Sequence, residues 1–339
     1  MFLSAGLDAD LRVVESRSFG AALYYFTGSK DHNVRIRRLA LQRGLTVNEY
    51  GVYRGTAKRK GALVEGAEEE EVFRAVGLPY IAPELREDRG EVEAAMARKL
   101  PQLIEEGDIR ADLHMHTDFS DGTATAQAMA KAAKAKGYAC IAITDHASPM
   151  GMVRGLKKEN IGAYLAMIEK ARKAVPGLRI LAGTEVDILQ DGRLYLPDDV
   201  LKKLDWVVAS VHGNFKMSPA DMTARYLRAI AHPLVDCIAH PTTRILGRRP
   251  GIAFDMDAVL RAAAKHGVAM ELNASLERLD LSDMHLKRAK DLGVKIVINS
   301  DAHAEDELDL GFGIFIARRG WLEKKDVVNA GDLPAGRQG

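Results

Sequence analysis

Residues 111–146 read ADLHMHTDFSDGTATAQAMAKAAKAKGYACIAITDH, and this stretch decides the predicted fold. Its two ends, ADLHMHT and ACIAITDH, are short apolar runs of the kind that form strands. Residues 124–136 between them have the apolar spacing of a helix. A strand, a helix and a second strand in this order predict parallel strands joined by a right-handed crossover.

The same alternation continues to residue 303. Five further apolar runs follow, namely RILAGTEVDI, WVVASVH, VDCIAHP, VAMELNA and KIVINSDAH. Helical spacing recurs at residues 161–174, 219–231, 256–266 and 283–292. Seven strands of near-continuous apolar character predict an α/β barrel rather than an open sheet, since both faces of each strand would be buried.

Imidazole and carboxylate side chains lie at or just past the C-terminal ends of six of these seven runs. That end of an α/β barrel is where active sites form. A single histidine at a strand end is more often structural. The HxH pair is more informative, because alternation with a period of two places both imidazoles on one face. The candidate metal ligands are His114, His116, Asp121, His146, Glu185, His212, His240, Asp301 and His303.

Nine nitrogen and oxygen ligands are too many for one ion, since a catalytic site usually takes three protein ligands. They suit two or three divalent ions. Imidazole and carboxylate without thiolate favour Mn²⁺ or Zn²⁺, with Fe²⁺ as a third option, over Ca²⁺. Ions about 3.5–4 Å apart activate a shared water and stabilise charge on an attacked phosphorus. We therefore expect the catalytic nucleophile to be metal-bound hydroxide held by these ligands.

Four arginines lie on the loops after these strands. Ordinary solvated charge is one interpretation of them. Their position above the metal ligands favours phosphate binding, because a guanidinium fits the edge of a phosphate with two hydrogen bonds. The candidate phosphate-binding residues are Arg154, Arg244, Arg248 and Arg249.

The N-terminal stretch at residues 25–54 contains an aromatic pair, a small turn, an asparagine and a basic helix. It follows a strand-like run at residues 10–14 and a helical SFGAALYYF. Aromatic rings and arginines together offer a surface for a base or sugar and for phosphates. From these features alone, a solvent-exposed helix is an equally good interpretation.

The ordered series HMH, SDG, TDH, GTE, SVH, AHP and SDAH resembles the PHP (polymerase and histidinol phosphatase) family. The resemblance implies a distorted (β/α)7 barrel that binds three metal ions. It implies that His114, His116, Glu185 and Asp301 hold one ion, and that Glu185 bridges to a second held by His212 and His240. Asp121, His146 and His303 would hold the third.

Residues 25–54 also resemble the end of the palm and the thumb of family X DNA polymerases, whose bacterial members carry a PHP domain after the thumb. The resemblance implies that Tyr25, Phe26 and Gly28 line a nucleotide sugar pocket. Asn33 and Arg37 would approach base and template. Asp10 matches one palm carboxylate, but one carboxylate cannot hold two Mg²⁺ ions for phosphoryl transfer. We therefore expect a truncated, polymerase-inactive chain, with a separate chain as a possible source of the polymerase N-terminal half.

Composition is compatible with this organisation. The chain has 339 residues, 47% hydrophobic and 28% charged, with a formal net charge of +1, so any surface for DNA must be local. Two cysteines inside apolar runs and no long apolar stretch suggest a soluble, cytoplasmic protein without a membrane span. We predict a palm-end and thumb-like domain at 1–85, a linker at 86–108, a PHP domain at 109–328 and a disordered tail at 329–339.

These features favour a metal-dependent phosphoesterase that acts on single-stranded DNA or 3′ ends during repair, as a 3′–5′ exonuclease or in 3′-end or abasic-site processing. The alternative enzyme is a small-molecule phosphatase of the histidinol-phosphate type, which has no use for a thumb-like segment. A third hypothesis is a non-enzymatic DNA-binding remnant. The intact set of nine ligands argues against it.

Overall fold

A computed structural model describes residues 6, 8–56, 58–149, 154–331 and 333–337. The chain divides into two compact units, Met1–Pro101 and Gln102–Gly339. Among the described residues, no helix is long and apolar enough to cross a membrane.

The first unit is a small α+β fold around a three-stranded antiparallel sheet of order β1-β2-β3. Its strands are β1 Leu45–Asn48, β2 Gly51–Thr56 and β3 Arg59–Glu65, and its helices are α1 Phe19–Thr27, α2 Lys30–Gln42, α3 Glu69–Ala75 and α4 Glu91–Met96. The helix predicted over SFGAALYYF corresponds to α1. The strand predicted at residues 10–14 is wrong, because this segment pairs with no strand and leaves Leu11 and Val13 84% and 92% exposed.

A buried arginine organises the core of the first unit. The Arg86 guanidinium donates two hydrogen bonds to the Glu69 carboxylate, at 2.7 and 3.2 Å, and one to the Ile81 carbonyl at 2.8 Å. It also lies 5.0 Å from the centre of the Phe73 ring. Arg86 and helix α4 fall within residues 86–108, the stretch that we predicted as a linker.

The second unit is a nearly closed parallel barrel. Its strands are β4 Ala111–Asp112, β5 Cys140–Ile143, β6 His146–Ala147, β7 Arg179–Asp187, β8 Trp206–Ser210, β9 Cys237–Ile238, β10 Ala269–Asn273 and β11 Ile296–Asn299. The sheet order is β11-β10-β9-β8-β7-β5-β4, with β6 as a short extension that pairs with β7. These elements match the seven predicted runs, and the predicted barrel class is confirmed.

Helices surround this sheet. They are α5 Ala126–Ala135, α6 Ile161–Ala174, α7 Asp198–Leu201, α8 Pro219–Ile230, α9 Met256–His266, α10 Asp283–Asp291 and α11 Gly311–Arg319. The five predicted helical stretches correspond to α5, α6, α8, α9 and α10. Helices α7 and α11 were not predicted.

Backbone hydrogen bonds close the barrel between its first and last strands, beyond the ends of β4 and β11. Asp301 N donates to His114 O at 3.0 Å, and His116 N donates to Ala302 O at 2.8 Å. The closing contacts therefore lie at candidate metal ligands.

Alternation along each strand separates two buried layers. Residues on the outward rows pack against the helices, as Ile141, Val207 and Ile298 do. Residues on the inward rows fill the barrel and are mostly small: Ala111, Leu113, Cys140, Ala142, Leu181, Trp206, Val208, Cys237, Ala239, Ala269 and Val297. Both cysteines are free and buried in this inner layer, as predicted.

The C-terminal segment contributes to the barrel wall. Asn329 is fully buried, and its side-chain amide donates to the carbonyls of Ala111 and Ile298. Further on, the Arg337 guanidinium donates to Leu234 O and Asp236 Oδ2. These contacts differ from the disorder predicted for residues 329–339, of which 332, 338 and 339 lie outside the described residues. The prediction was based on Gly/Pro content. That signal does not reveal that the Asn329 amide donates hydrogen bonds to backbone carbonyls of the barrel strands.

Candidate metal centre

The inward rows of the strands lead directly to the candidate ligands. On β7 the row that contains Leu181 and Gly183 continues to Glu185, and on β8 the row of Trp206 and Val208 continues to His212. The rows of β5 and β11 reach His146 and Asp301 in the same way. A period of two therefore carries these side chains from the apolar interior to the C-terminal mouth of the barrel.

Two backbone positions at the mouth lie in the left-handed region. His240 has φ +24° and Asp301 has φ +58°, although neither is glycine. Such conformations cost free energy and persist where surrounding structure holds them, often at functional sites. They turn these two side chains towards the other ligands.

The first cluster contains His114, His116 and Asp301. The Nε2 atoms of His114 and His116 lie 3.4 and 3.0 Å from Asp301 Oδ1 and 3.2 Å from each other. Both histidines are fully buried. One ligand atom from each of the three residues falls within 4.8 Å of the others.

The second cluster forms around Asp121, which follows on the loop after β4. Asp121 Oδ2 lies 3.3 Å from His146 Nε2, and its Oδ1 lies 3.5 Å from His303 Nε2 and 3.8 Å from His116 Nδ1. The loop is tight: a Cβ on Gly122 would lie 2.7 Å from the carbonyl of His116. The His116 and His303 rings stack with centroids 4.2 Å apart.

Glu185 lies at the centre of the site and forms a third cluster with His146 and His212. Its Oε1 is 2.8 Å from His240 Nε2 and 3.3 Å from His212 Nε2, and its Oε2 is 2.8 Å from His146 Nδ1. The structure thus brings all nine predicted residues together. Its grouping differs in detail from the predicted sets, because His116 and His146 each belong to two clusters.

The donor set fits divalent metal ions. Two buried imidazole nitrogens of the site have no hydrogen-bond partner, namely His116 Nδ1 and His240 Nδ1. Native proteins rarely leave buried polar atoms unpaired, so each requires an explanation such as an ion. Imidazole nitrogens and carboxylate oxygens that converge in this way suit borderline divalent metals.

Electrostatics reinforce this interpretation. Although burial favours the neutral acid, the imidazoles of His212, His146 and His114 hold the pKa of Glu185 well below its ordinary value. Burial likewise opposes ionisation of Asp301, but His114 and His116 keep its pKa low. Burial lowers the pKa of His116 to about 3, so this imidazole stays neutral. Ionised carboxylates beside a neutral imidazole provide the charge and lone pairs that a cation needs.

Sequence reasoning missed the residues that orient the ligands. Glu271 is fully buried; its Oε1 lies 2.7 Å from His114 Nδ1, and its Oε2 accepts a hydrogen bond from His240 N at 2.7 Å. Asp187 Oδ1 lies 2.7 Å from His212 Nδ1. A carboxylate that accepts from one ring nitrogen fixes the tautomer and leaves the other nitrogen to bind metal. A charged residue within the apolar run VAMELNA was the available signal for Glu271.

The predicted phosphate-binding arginines separate into different environments. Arg249 lines the mouth cavity, of about 320 Å³, and its guanidinium lies 4.5 Å from the Phe215 ring centre. Arg244 instead donates to the carbonyls of Arg278 and Leu279, and Arg248 is exposed beside Glu277. Arg154 is also exposed. None of these three lines the mouth among the described residues. Arg249 does so although its guanidinium donates two hydrogen bonds to the Thr243 carbonyl, at 3.0 and 2.6 Å.

An arginine that we did not predict lies at the mouth instead. Arg278 lines the cavity, and its Nε is 3.7 Å from Asp301 Oδ2. One of its terminal nitrogens is buried without a hydrogen-bond partner. Arg278 follows β10, the one strand end at which we had not looked for functional residues.

The nucleotide-contact candidates of the first unit are partly buried. Phe26 is 50% exposed, and its ring packs edge-on against Tyr25 at 5.2 Å. Asn33 is buried, and its amide donates to the Tyr25 carbonyl at 2.7 Å, so its placement differs from the base contact that we predicted. Gly28 has φ +78° and ends α1, whereas Arg37 is exposed on α2. Asp10 is exposed.

Comparison with known proteins matches both parts of the chain. The DNA polymerase beta thumb family model matches residues 22–87, and the PHP domain model matches residues 112–275. A probable phosphatase of Thermoanaerobacter sp. (strain X514) is 35% identical over 205 residues, which cover 57% of this chain and 78% of that protein. The chain belongs to the PHP domain family. The predicted enzyme class, a hydrolase acting on phosphate ester bonds, is confirmed at this level.

The relation to family X polymerases is also confirmed. The DNA polymerase/3′-5′ exonuclease PolX of Bacillus subtilis (strain 168) is 42% identical over 325 residues, which cover 96% of this chain. The chain spans 56% of the length of that protein. A solved structure, the histidinol phosphate phosphatase of Lactococcus lactis, has 19% identity and a TM-score of 0.46 over 66% of this chain and 94% of its own.

Proposed function

We propose that this PHP-family chain hydrolyses phosphodiesters at DNA 3′ ends, as a metal-dependent 3′–5′ exonuclease with a role in DNA repair. The observation that carries the proposal is the convergence of the nine candidate ligands and two arginines at one mouth of the barrel. The similarity to a protein named as a 3′-5′ exonuclease, over both units, supports DNA as the substrate.

The chain's own residues would have three roles: to bind the metal ions, to orient the metal ligands and to bind the substrate phosphate. The nine ligands would hold two or three ions, which we propose to be Mn²⁺ or Zn²⁺. Bound ions of this kind activate water and neutralise charge that develops on phosphorus. Glu271 and Asp187 fix the rings of His114 and His212, so that the imidazole lone pairs face the centre.

Arg278 and Arg249 would bind the substrate phosphate. Both line the mouth cavity, and Arg278 has a buried nitrogen without a partner. A guanidinium is always charged and can meet two phosphate oxygens at once. The mouth therefore offers positive charge on the solvent side of the candidate metal centre.

The first unit would contact the DNA backbone. It matches a polymerase thumb model, and α2 presents Arg37 and Arg38 as exposed cations. Phosphate contacts of this kind add affinity and position a strand without reading its sequence. This role explains why a chain with a net charge of only +1 would bind DNA locally.

The first test is degradation of a 5′-labelled oligonucleotide in the presence of Mn²⁺. We expect a ladder of shortened products from the wild type and none from His114→Ala or Asp301→Ala. His266→Ala is the matched control, because this histidine is exposed on α9 and outside the clusters. Arg278→Ala should lower kcat/KM by about 10- to 100-fold, whereas Arg248→Ala, which removes an exposed arginine, should not.

A small-molecule phosphatase is the competing function. Several relatives named as probable phosphatases align with 57% of this chain or a little more, such as the Thermoanaerobacter protein. Histidinol phosphate and a generic phosphomonoester therefore belong in the same assay. Cleavage of these compounds while the DNA stays uncleaved would refute the exonuclease proposal and support the small-molecule phosphatase.

A further inference from the structure

A second cavity opens beside the candidate metal centre. It has a volume of about 520 Å³, within the roughly 300–1,000 Å³ range of small-ligand sites. Asp301, His303 and Arg278 line both this cavity and the mouth of the metal centre. A substrate whose phosphate lies at the metal ligands can therefore extend into the second cavity.

One side of this cavity is apolar and exposed. Phe312, the second residue of α11, is 52% exposed, and Leu276 on the loop after β10 is 60% exposed. Both line the cavity. An exposed aromatic ring beside a reactive centre offers a flat surface on which any nucleobase can stack.

The carboxylates of the cavity disfavour a second phosphate as its occupant, and the arginine in its lining, Arg278, is shared with the mouth of the metal centre. Glu307 and Asp309 are exposed carboxylates in its lining. Glu307 accepts a hydrogen bond from His303 N at 2.7 Å, and Asp309 accepts one from Gly311 N at 2.9 Å, so both carboxylates are held in place. Carboxylates repel a phosphate but accept hydrogen bonds from amino and hydroxyl groups. An uncharged base with its sugar has amino and hydroxyl groups that can donate hydrogen bonds to these carboxylates.

Tight packing fixes the aromatic side of the cavity. Gly313 follows Phe312, and a Cβ there would lie 2.7 Å from Ala274 Cβ and 3.0 Å from Ile298 Cγ2. Helix α11 therefore lies directly against the end of β10 and against β11. Phe312 is presented from a rigid helix terminus rather than from a loop.

We propose that this cavity, lined by Phe312, Leu276, Arg278, Glu307 and Asp309, binds the 3′-terminal base of the DNA strand whose phosphate lies at the metal centre. The inference rests on the proposed function and adds the site that would make the enzyme specific for nucleotides. Stacking on Phe312 would distinguish a nucleotide from a simple phosphate ester.

The test uses two 5′-labelled oligonucleotides that differ only at the 3′ end, one with a terminal adenine and one with an abasic tetrahydrofuran residue. For the wild type, loss of the base should raise KM for the first cleavage by about tenfold. For Phe312→Ala, KM for the adenine substrate should rise by the same factor. KM for the abasic substrate should stay at its wild-type value. Phe312→Tyr should restore the difference. Met284→Ala is the control, because Met284 is 61% exposed on α10 and does not line the cavity.

The proposal would be overturned if Phe312→Ala kept the wild-type difference in KM between the adenine and abasic substrates. Equal loss of activity on both oligonucleotides and on bis(p-nitrophenyl) phosphate would also overturn it. A binding experiment separates this result from failure of the exonuclease proposal. The fluorescence of a 3′-terminal 2-aminopurine, in an oligonucleotide with phosphorothioate linkages, should be quenched by wild type and Met284→Ala but not by Phe312→Ala. This pattern without cleavage would support the base site and refute the exonuclease, whereas no quenching by the wild type would refute the base site.

Discussion

Replacement of Glu271 by Gln removes a negative charge from a fully buried position and leaves the shape of the side chain almost unchanged. The carboxylate accepts from four donors, the most distant of which is Asn273 Nδ2, 3.4 Å from Oε2. Oε1 is 2.7 Å from His114 Nδ1 and 2.9 Å from Asn299 Nδ2, and Oε2 is 2.7 Å from His240 N. Glutamine has only one acceptor oxygen. Whichever way its amide is turned, the NH₂ group faces another N–H donor.

The size of the effect follows from these contacts. Loss of one hydrogen bond to a charged group at a buried site costs about 1.5–3 kcal/mol. At 1.4 kcal/mol per tenfold, this corresponds to metal affinity weaker by about 10- to 150-fold. The cost falls on metal binding, because His114 needs its Nδ1–H directed at Glu271 in order to present Nε2 as a lone pair.

Calorimetric titration with Zn²⁺ measures this directly, and circular dichroism melts establish that the variant is folded. Glu169→Gln makes the same chemical change on the exposed face of α6 and should bind Zn²⁺ as the wild type does. A folded Glu271→Gln protein with wild-type Zn²⁺ affinity would refute the assignment of Glu271 as a positioning residue for His114.

Three other substitutions or treatments have defined outcomes. Glu69→Ala should lower the free energy of unfolding of the first unit by about 3–5 kcal/mol in urea titrations, because it leaves the buried Arg86 guanidinium without its carboxylate. Gly122→Ala should weaken Zn²⁺ binding by about tenfold in calorimetry, since its Cβ would displace the loop that carries Asp121 away from His116. Both cysteines should react with a thiol reagent at pH 8 only after unfolding, because burial raises the pKa of each thiol and excludes the reagent.

The two substitutions each have a matched control. Glu70→Ala removes an exposed neighbour of Glu69 and should leave stability unchanged. Gly107→Ala introduces a Cβ with no atom within 4 Å and should not change Zn²⁺ affinity. Rapid reaction of a thiol in the native protein would contradict the burial of the inner barrel layer.

The barrel class and the position of the candidate ligands were predictable because each follows from a local pattern. Apolar runs of strand length identify the strands of the barrel. Because side chains alternate with a period of two, Glu185, His212 and His146 continue the inward rows to the mouth. Parallel strands bring their C-terminal ends together wherever they lie in the sequence. These residues could therefore be placed in one site without knowledge of any distance.

The arginines were less predictable because their direction depends on tertiary contacts. Arg244 and Arg278 both lie on loops near the mouth, and sequence position does not distinguish them. Backbone carbonyls of the loop after β10 capture the Arg244 guanidinium, whereas Arg278 points towards Asp301. The run at residues 10–14 failed for a similar reason, since an apolar pattern predicts a strand but cannot supply the partner that a strand requires.

Closure of the barrel has a consequence for the order of events during synthesis. His116 leaves the ribosome 185 residues before Asp301, with which it shares the first cluster. Until the last strand has paired with the first, no ion can be held by both. A nascent or prematurely ended chain therefore lacks the first cluster, which forms only when the wall of the barrel is complete.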